Sequence, residues 1–217
     1  MLTDSPRTRV VANDLGHDFG GHPLFLHLSF TLVPDRVYAV TGPSGSGKST
    51  LLSIIAGWLK PVHGWVARMN IDKIRWVFQN PHGVARRTAL DHVSLGFIAQ
   101  GQSRTQADTQ ARALMDRFGL GQIADAPFSS LSGGEAQRLM LARGLASAPD
   151  LFLVDEPTAQ LDRATADEVN QALAALADQG VIVVIATHDQ QTRDMCTDVI
   201  NLDDYVDKSA SIEVDHG

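Results

Sequence analysis

The sequence predicts an α/β fold: a mainly parallel core sheet interrupted by a block of helices. Three observations carry this. The runs 151–154 and 181–186 are short and wholly apolar, as in strands that a parallel sheet buries on both faces. Strand-like and helix-like segments alternate on either side of the middle of the chain. From about residue 80 to about residue 147 the pattern is helical only.

The elements follow in order. Residues 22–33 and 36–41 read as strands, and the second runs through Tyr38-Ala39-Val40 into a glycine-rich turn. Residues 48–57 then read as a helix. The turn-rich stretch 60–64 precedes a strand over 74–78. Helical segments are expected at about 88–99, 104–118 and 133–147. Residues 162–177 have helical spacing, with Val169, Leu173 and Leu176 on one face. After Asp203 an acidic tail is expected to give a short strand and a loose end.

The 217 residues fit one large domain, or one domain with a small subdomain, and no internal repeat is visible. A net charge of −7 argues against a nucleic-acid partner, which calls for clustered Lys and Arg. The single cysteine, Cys196, excludes an internal disulfide and suits a reducing compartment. The eight histidines form no zinc pattern. No apolar run approaches the roughly 20 residues of a membrane-spanning helix, and the first ten residues lack the apolar stretch of a signal peptide. The expectation is a cytoplasmic protein that reaches a membrane only through a partner.

Gly42-Pro43-Ser44-Gly45-Ser46-Gly47-Lys48-Ser49 matches the full phosphate-loop pattern, between a strand and a helix. The glycines let successive N–H groups point at phosphate, and the helix that opens there presents its positive end to the same anion. Lys48 is expected to reach the β- and γ-phosphates, Ser49 to offer its hydroxyl to Mg²⁺, and Thr50 to border the nucleotide in the next position. Asp155 and Glu156 end the buried run 151–154, where ligands of open parallel sheets sit. Such adjacent carboxylates divide the labour: Asp155 toward Mg²⁺, Glu156 toward the attacking water.

Leu131-Ser132-Gly133-Gly134-Glu135, followed by Gln137-Arg138, resembles the signature of the ABC ATPase family, and other phosphate-loop proteins lack it. Physically, Ser132 caps a helix whose free N–H groups make a second anion site. The resemblance extends over roughly residues 8–203 and assigns further roles in the family's order. Gln79 resembles the glutamine that touches Mg²⁺ and senses the transporter. Ala159-Gln160-Leu161-Asp162 resembles the D-loop. His188 resembles the switch histidine that contacts the γ-phosphate. Phe19 stands where the family places an aromatic on adenine, with His17 and Phe25 as rivals. The resemblance implies one cassette with two lobes: a core at about 1–79 and 148–205 carrying an N-terminal antiparallel β-subdomain, a helical subdomain at about 80–147, and a tail at 206–217. It also implies a head-to-tail dimer of two such chains, in which the signature of one copy closes on ATP held by the other.

The pattern departs from the family at Pro34-Asp35-Arg36, where Pro-Gly-Glu is usual, and in the short stretch from Lys48 to Gln79. After Gln79, the compact segment Asn80 to Arg87 ends in two arginines, in the region that meets the family's integral membrane permease. Thr88-Ala89-Leu90-Asp91-His92-Val93 and Asp155 to Asp162 look most like the small cassettes of lipoprotein-releasing, macrolide-exporting and haem-exporting systems. The alternatives are a soluble ATPase of the iron–sulfur assembly type and a cell-division cassette that moves no cargo. A chromosome or DNA-repair ATPase is disfavoured, because Lys48 and Ser132 lie 84 positions apart with no heptad array between them.

Overall fold

The computed structural model describes residues 8–159, 161–177 and 180–206, with the side chains of 175–177 left aside. The side chain of Leu176, Gln160 of the D-loop-like segment, and the tail beyond residue 206 lie outside these residues.

The elements run β1 (Arg9–Phe19), β2 (His22–Leu32), β3 (Arg36–Thr41), α1 (Lys48–Ala56), β4 (His63–Met69), β5 (Ile74–Val77), α2 (Ala89–Ile98), α3 (Arg104–Arg117), α4 (Gly133–Leu145), β6 (Leu151–Asp155), α5 (Arg163–Ala177), β7 (Ile182–Ala186), α6 (Gln190–Asp194) and β8 (Asp198–Asn201). One sheet has the order β2-β1-β4 and is antiparallel. The other has the order β5-β6-β7-β3-β8 and is parallel throughout.

The parallel sheet divides two apolar cores by strand alternation. On β6, Leu151 and Leu153 face one core while Phe152 and Val154 face the other; on β7, Ile182 and Val184 oppose Val183 and Ile185. The first core is closed by α1 and the antiparallel sheet, through Leu51, Leu52, Ile55, Val10, Leu15 and Leu28. The second is closed by α2 to α5, through residues such as Val93, Met115, Leu139, Val169 and Leu173. Gly144 lets α4 lie against the sheet, since a Cβ there would meet the Phe152 ring at 2.5 Å.

Four elements go beyond the sequence reading. β1 was absent from it because its alternation is broken: Asp14 takes φ 49°, and the pairing with β2 shifts register between Ala12, Leu15, His17 and Asp18. β4 begins inside the stretch read as a turn, and none of its residues is fully buried, so no apolar face marks it. α6 and β8 span five and four residues, too few to show a period. Residues 202–205 form a 3₁₀ turn after β8, and the short strand and loose end expected after Asp203 otherwise lie outside the described residues. Asp35 stands in the left-handed region at φ 62°, which accounts for a glycine being usual at that exposed turn.

Both ends of α1 are tied. Its last turn is closed by Arg68 of β4, whose Nε donates to the Ile55 carbonyl at 2.7 Å and whose Nη2 donates to that of Ile54 at 2.7 Å. Burial draws this guanidinium below its ordinary pKa.

Candidate nucleotide-binding site

The loop between β3 and α1 curls because its glycines permit it. Gly45 and Gly47 take φ 82° and 96°, and Leu51 N–H donates to the Gly47 carbonyl at 2.8 Å, so α1 opens directly from the loop. The buried Lys48 ammonium donates to the carbonyls of Gly42 at 2.9 Å and Pro43 at 3.0 Å, and lies 4.0 Å from Glu156 Oε1. The Ser46 hydroxyl is buried without a hydrogen-bond partner among the described residues. Such a hydroxyl is a polar group that the loop itself leaves unsatisfied.

Strand register brings the acidic residues to the loop. Asp155 is level with Ala186 across the β6–β7 pair, and Glu156 N–H donates to the Ala186 carbonyl at 2.8 Å. Ser49 Oγ donates to Asp155 Oδ2 at 2.6 Å. Burial raises the Asp155 carboxyl above its usual range, the Ser49 bond opposes this, and the neighbouring Glu156 charge adds to it.

Glu156 is held from several sides. Its backbone takes φ 48°, an uncommon value for a residue with a Cβ. Its carboxylate accepts from His188 Nδ1 at 2.7 Å, from His188 N–H at 3.4 Å and from the buried Thr187 hydroxyl at 3.5 Å. A carboxylate only accepts, so Nδ1 carries the proton and Nε2 of the exposed ring is left for another partner.

These groups line one cleft of about 640 Å³, together with Phe19, Leu24, Pro43, Ser44, Gly45, Gly47, Thr50 and Gln79. That volume suits a bound nucleotide. Of the three candidate aromatics, Phe25 is fully buried and His17 is 6% exposed, whereas Phe19 is 58% exposed and lines the cleft. His17 meets Phe19 edge-on, with centroids 5.2 Å apart. Gly42 and Ser46 shape the loop rather than line the cleft. Leu24, which lines the cleft, and Thr187, which directly precedes His188 and bonds to Glu156, have no assigned role in the sequence reading.

Ser132, Gly133, Gly134 and Asp162 are not among the lining residues. Ser132 caps α4 in a reciprocal box with Glu135: Glu135 N–H donates to Ser132 Oγ at 3.3 Å, and Ser132 N–H donates to Glu135 Oε2 at 2.8 Å. The hydrogen bonds from Ser132 hold the Glu135 carboxyl below its usual range. Asp162 accepts from Thr165 N–H at 3.1 Å and from its hydroxyl, at the start of α5.

A phosphate loop leaving one parallel strand, with a carboxylate pair ending another, defines a P-loop nucleoside triphosphatase. The comparisons narrow the class. The family model described as "ABC transporter" matches residues 25–159. The lipoprotein-releasing system ATP-binding protein LolD 2 of Caulobacter vibrioides is 35% identical over 201 residues, 85% of this chain and 88% of the relative. The macrolide export ATP-binding/permease protein MacB of Rhodopseudomonas palustris is 36% identical over 194 residues, which are 82% of this chain and 30% of that longer protein. The dimeric post-hydrolysis structure of the ATP-binding cassette MJ0796, bound to ADP and Pi, superposes with a TM-score of 0.79 at 30% identity, over 89% of this chain and 94% of that one. The chain belongs to the ABC transporter family and is an ABC-type, ATP-hydrolysing ATP-binding protein.

Proposed function

We propose that the chain is the ATPase subunit of a system that exports cargo or extracts it from the membrane. In this reading it works as a homodimer on the cytoplasmic face, beneath a separate permease. One observation carries the reading: the cleft gathers Lys48, Ser49, Gln79, Asp155, Glu156 and His188, while the Ser132 helix end stays outside it. One copy thus offers half of a site and, elsewhere, a second anion-binding end. A head-to-tail partner supplies what the first copy lacks. The similarity to LolD 2 and MacB favours export or extraction over the soluble iron–sulfur and cell-division alternatives.

The roles follow from the geometry. The loop amides and Lys48 hold the β- and γ-phosphates, with Phe19 against the adenine. Glu156 accepts a proton from the water that attacks the γ-phosphorus, while the bond to the β-phosphate oxygen breaks to give ADP and phosphate. His188 orients Glu156 through Nδ1–H, and in its imidazolium form it also has an Nε2–H that can donate to the γ-phosphate. Ser49 and Asp155 are paired hard oxygen donors, and Gln79 lines the same cleft, so the three fit Mg²⁺. When bound, that ion would offset charge on the phosphates. The chain is proposed to act as one cassette, a core at about 1–79 and 148–205 with a helical insert at about 80–147.

Ser132→Arg tests the shared site. It places charge and bulk at the proposed seam, so turnover is expected to be lost while ATP still binds the single chain. Normal hydrolysis by this variant, or efficient hydrolysis by a dilute monomeric wild-type chain, would sink the shared-site reading.

The permease is expected to dock beside Gln79. Among the described residues, a groove of about 450 Å³ there is lined by Trp76, Phe78, Pro81, Leu95, Met140 and Arg143. Trp58, Trp76 and Phe78 form a ring ladder at its edge, with centroids 5.0 Å apart in each successive pair. Arg86 and Arg87, later in the segment that contains Pro81, are exposed. Replacing both arginines with Glu is expected to weaken assembly with the permease, or its stimulation of ATPase activity, and to leave ATP binding by the isolated chain intact. If assembly, stimulation and transport all persist, the permease docks elsewhere.

A further inference from the structure

His92 lies on α2, outside the nucleotide cleft, yet it is 1% exposed and fully engaged. Its Nδ1 is 2.8 Å from the Thr88 carbonyl, which only accepts, so Nδ1 carries the proton. Its Nε2 therefore has a free lone pair and accepts from Val84 N–H at 2.9 Å. Only the neutral ring can make both bonds. Burial is the main influence holding this imidazole below its ordinary pKa; the Thr88 bond and Asp91 oppose it, and Arg143 and Arg87 reinforce it.

The ring joins two segments that approach different motifs. Val84 belongs to the stretch that follows Gln79. His92 also packs on Phe128, with centroids 5.3 Å apart, and the Phe128 ring fills the space beside Gly83, where a Cβ would come within 2.5 Å. Phe128 N–H donates to the Arg87 carbonyl at 2.9 Å, and Ser129 N–H donates to that of Ala85 at 3.0 Å. Phe128–Ser130 is a 3₁₀ turn, and Leu131 then leads into Ser132. An unbroken chain of contacts therefore runs from the segment after Gln79, through His92 and Phe128, to the cap of the signature helix.

We infer that His92 is a positioning residue for hydrolysis: its neutral ring locks the segment after Gln79 onto the turn before Ser132, so that the two motifs are placed as one block. The inference rests on the reading that Ser132 meets the nucleotide of a second copy. It predicts an effect on turnover and none on capture of ATP by a single chain, because His92 is remote from the phosphate loop in sequence and absent from the cleft lining.

The test compares three substitutions in the full chain. His92→Ala is expected to lower kcat about tenfold, the scale of one lost buried hydrogen bond, with the Kd for ATP changed less than about twofold. Glutamine places an acceptor near the position of Nε2, so His92→Gln keeps the Val84 bond and restores turnover. Asparagine reaches only the position of Nδ1, so His92→Asn behaves like alanine. Nitrogen NMR of the wild-type ring is expected to show the Nδ1–H tautomer. Wild-type turnover in His92→Ala, equal turnover in the Gln and Asn variants, or a proton on Nε2 overturns the inference. Should His92→Ala fail to fold, the Gln and Asn pair decides alone. Ser132→Arg run in parallel separates the two ideas. Turnover in that variant removes the shared-site reading, whereas its loss beside an unaffected His92→Ala removes only the role of His92.

Discussion

Lys48→Ala is expected to abolish ATP turnover, lowering kcat/KM on the order of 10³-fold or more, the scale of removing one preorganised charged donor at a reacting phosphate. The ammonium is buried and already bound to two loop carbonyls, so it is placed before any nucleotide arrives. Alanine removes the only side-chain cation among the residues that line the phosphate-loop end of the cleft, apart from a protonated His188. Binding should suffer along with chemistry. The measurement is a thermal melt with and without MgATP, beside a phosphate-release assay. Ligand at 100 times its Kd stabilises a fold by about 2.7 kcal/mol, and this gain is expected to vanish in the variant. Retained turnover and a retained melting shift would remove the phosphate-loop assignment.

Glu156→Gln separates binding from chemistry. The amide keeps the size of the carboxylate, and its oxygen can still accept from His188 Nδ1, so the φ 48° backbone and its neighbours stay in place. It cannot take a proton from water. ATP is therefore expected to bind and not turn over, with kcat lower by about 10² to 10⁴, the range for losing a general base. The shared-site reading adds a second outcome: the ATP-bound dimer accumulates and elutes as a species of doubled mass in gel filtration. Its melt should rise with MgATP where that of Lys48→Ala does not. Hydrolysis at the wild-type rate would take Glu156 out of the base's role.

The contiguous motifs were legible because their chemistry is local. A loop that must curl around phosphate needs its glycines, lysine and serine in one short run, and the buried strands β3, β6 and β7 announce themselves by unbroken apolar runs. What the sequence concealed depends on register. Thr187 reaches Glu156 only because β6 and β7 pair with Asp155 level with Ala186. Leu24 reaches the cleft beside Gly47, whose Cβ, if present, would sit 3.1 Å from that of Leu24. β1 hid behind its own bulges, and β4 behind its exposure. The choice among three aromatics needed burial, which sets Phe25 in the core and leaves Phe19 at the cleft. The left-handed backbone of Glu156 has no sequence signal, since glutamate rarely adopts it.

Arg68 is expected to give the antiparallel sheet a part in nucleotide affinity through α1. α1 is only about 13 Å long, and its positive end faces the cleft while the guanidinium of Arg68 covers its negative end. A cation so placed stabilises the helix by about 1 kcal/mol and keeps its open end fixed against the anion. Removing the Arg68 guanidinium is therefore expected to loosen nucleotide capture while every residue of the phosphate loop stays unchanged.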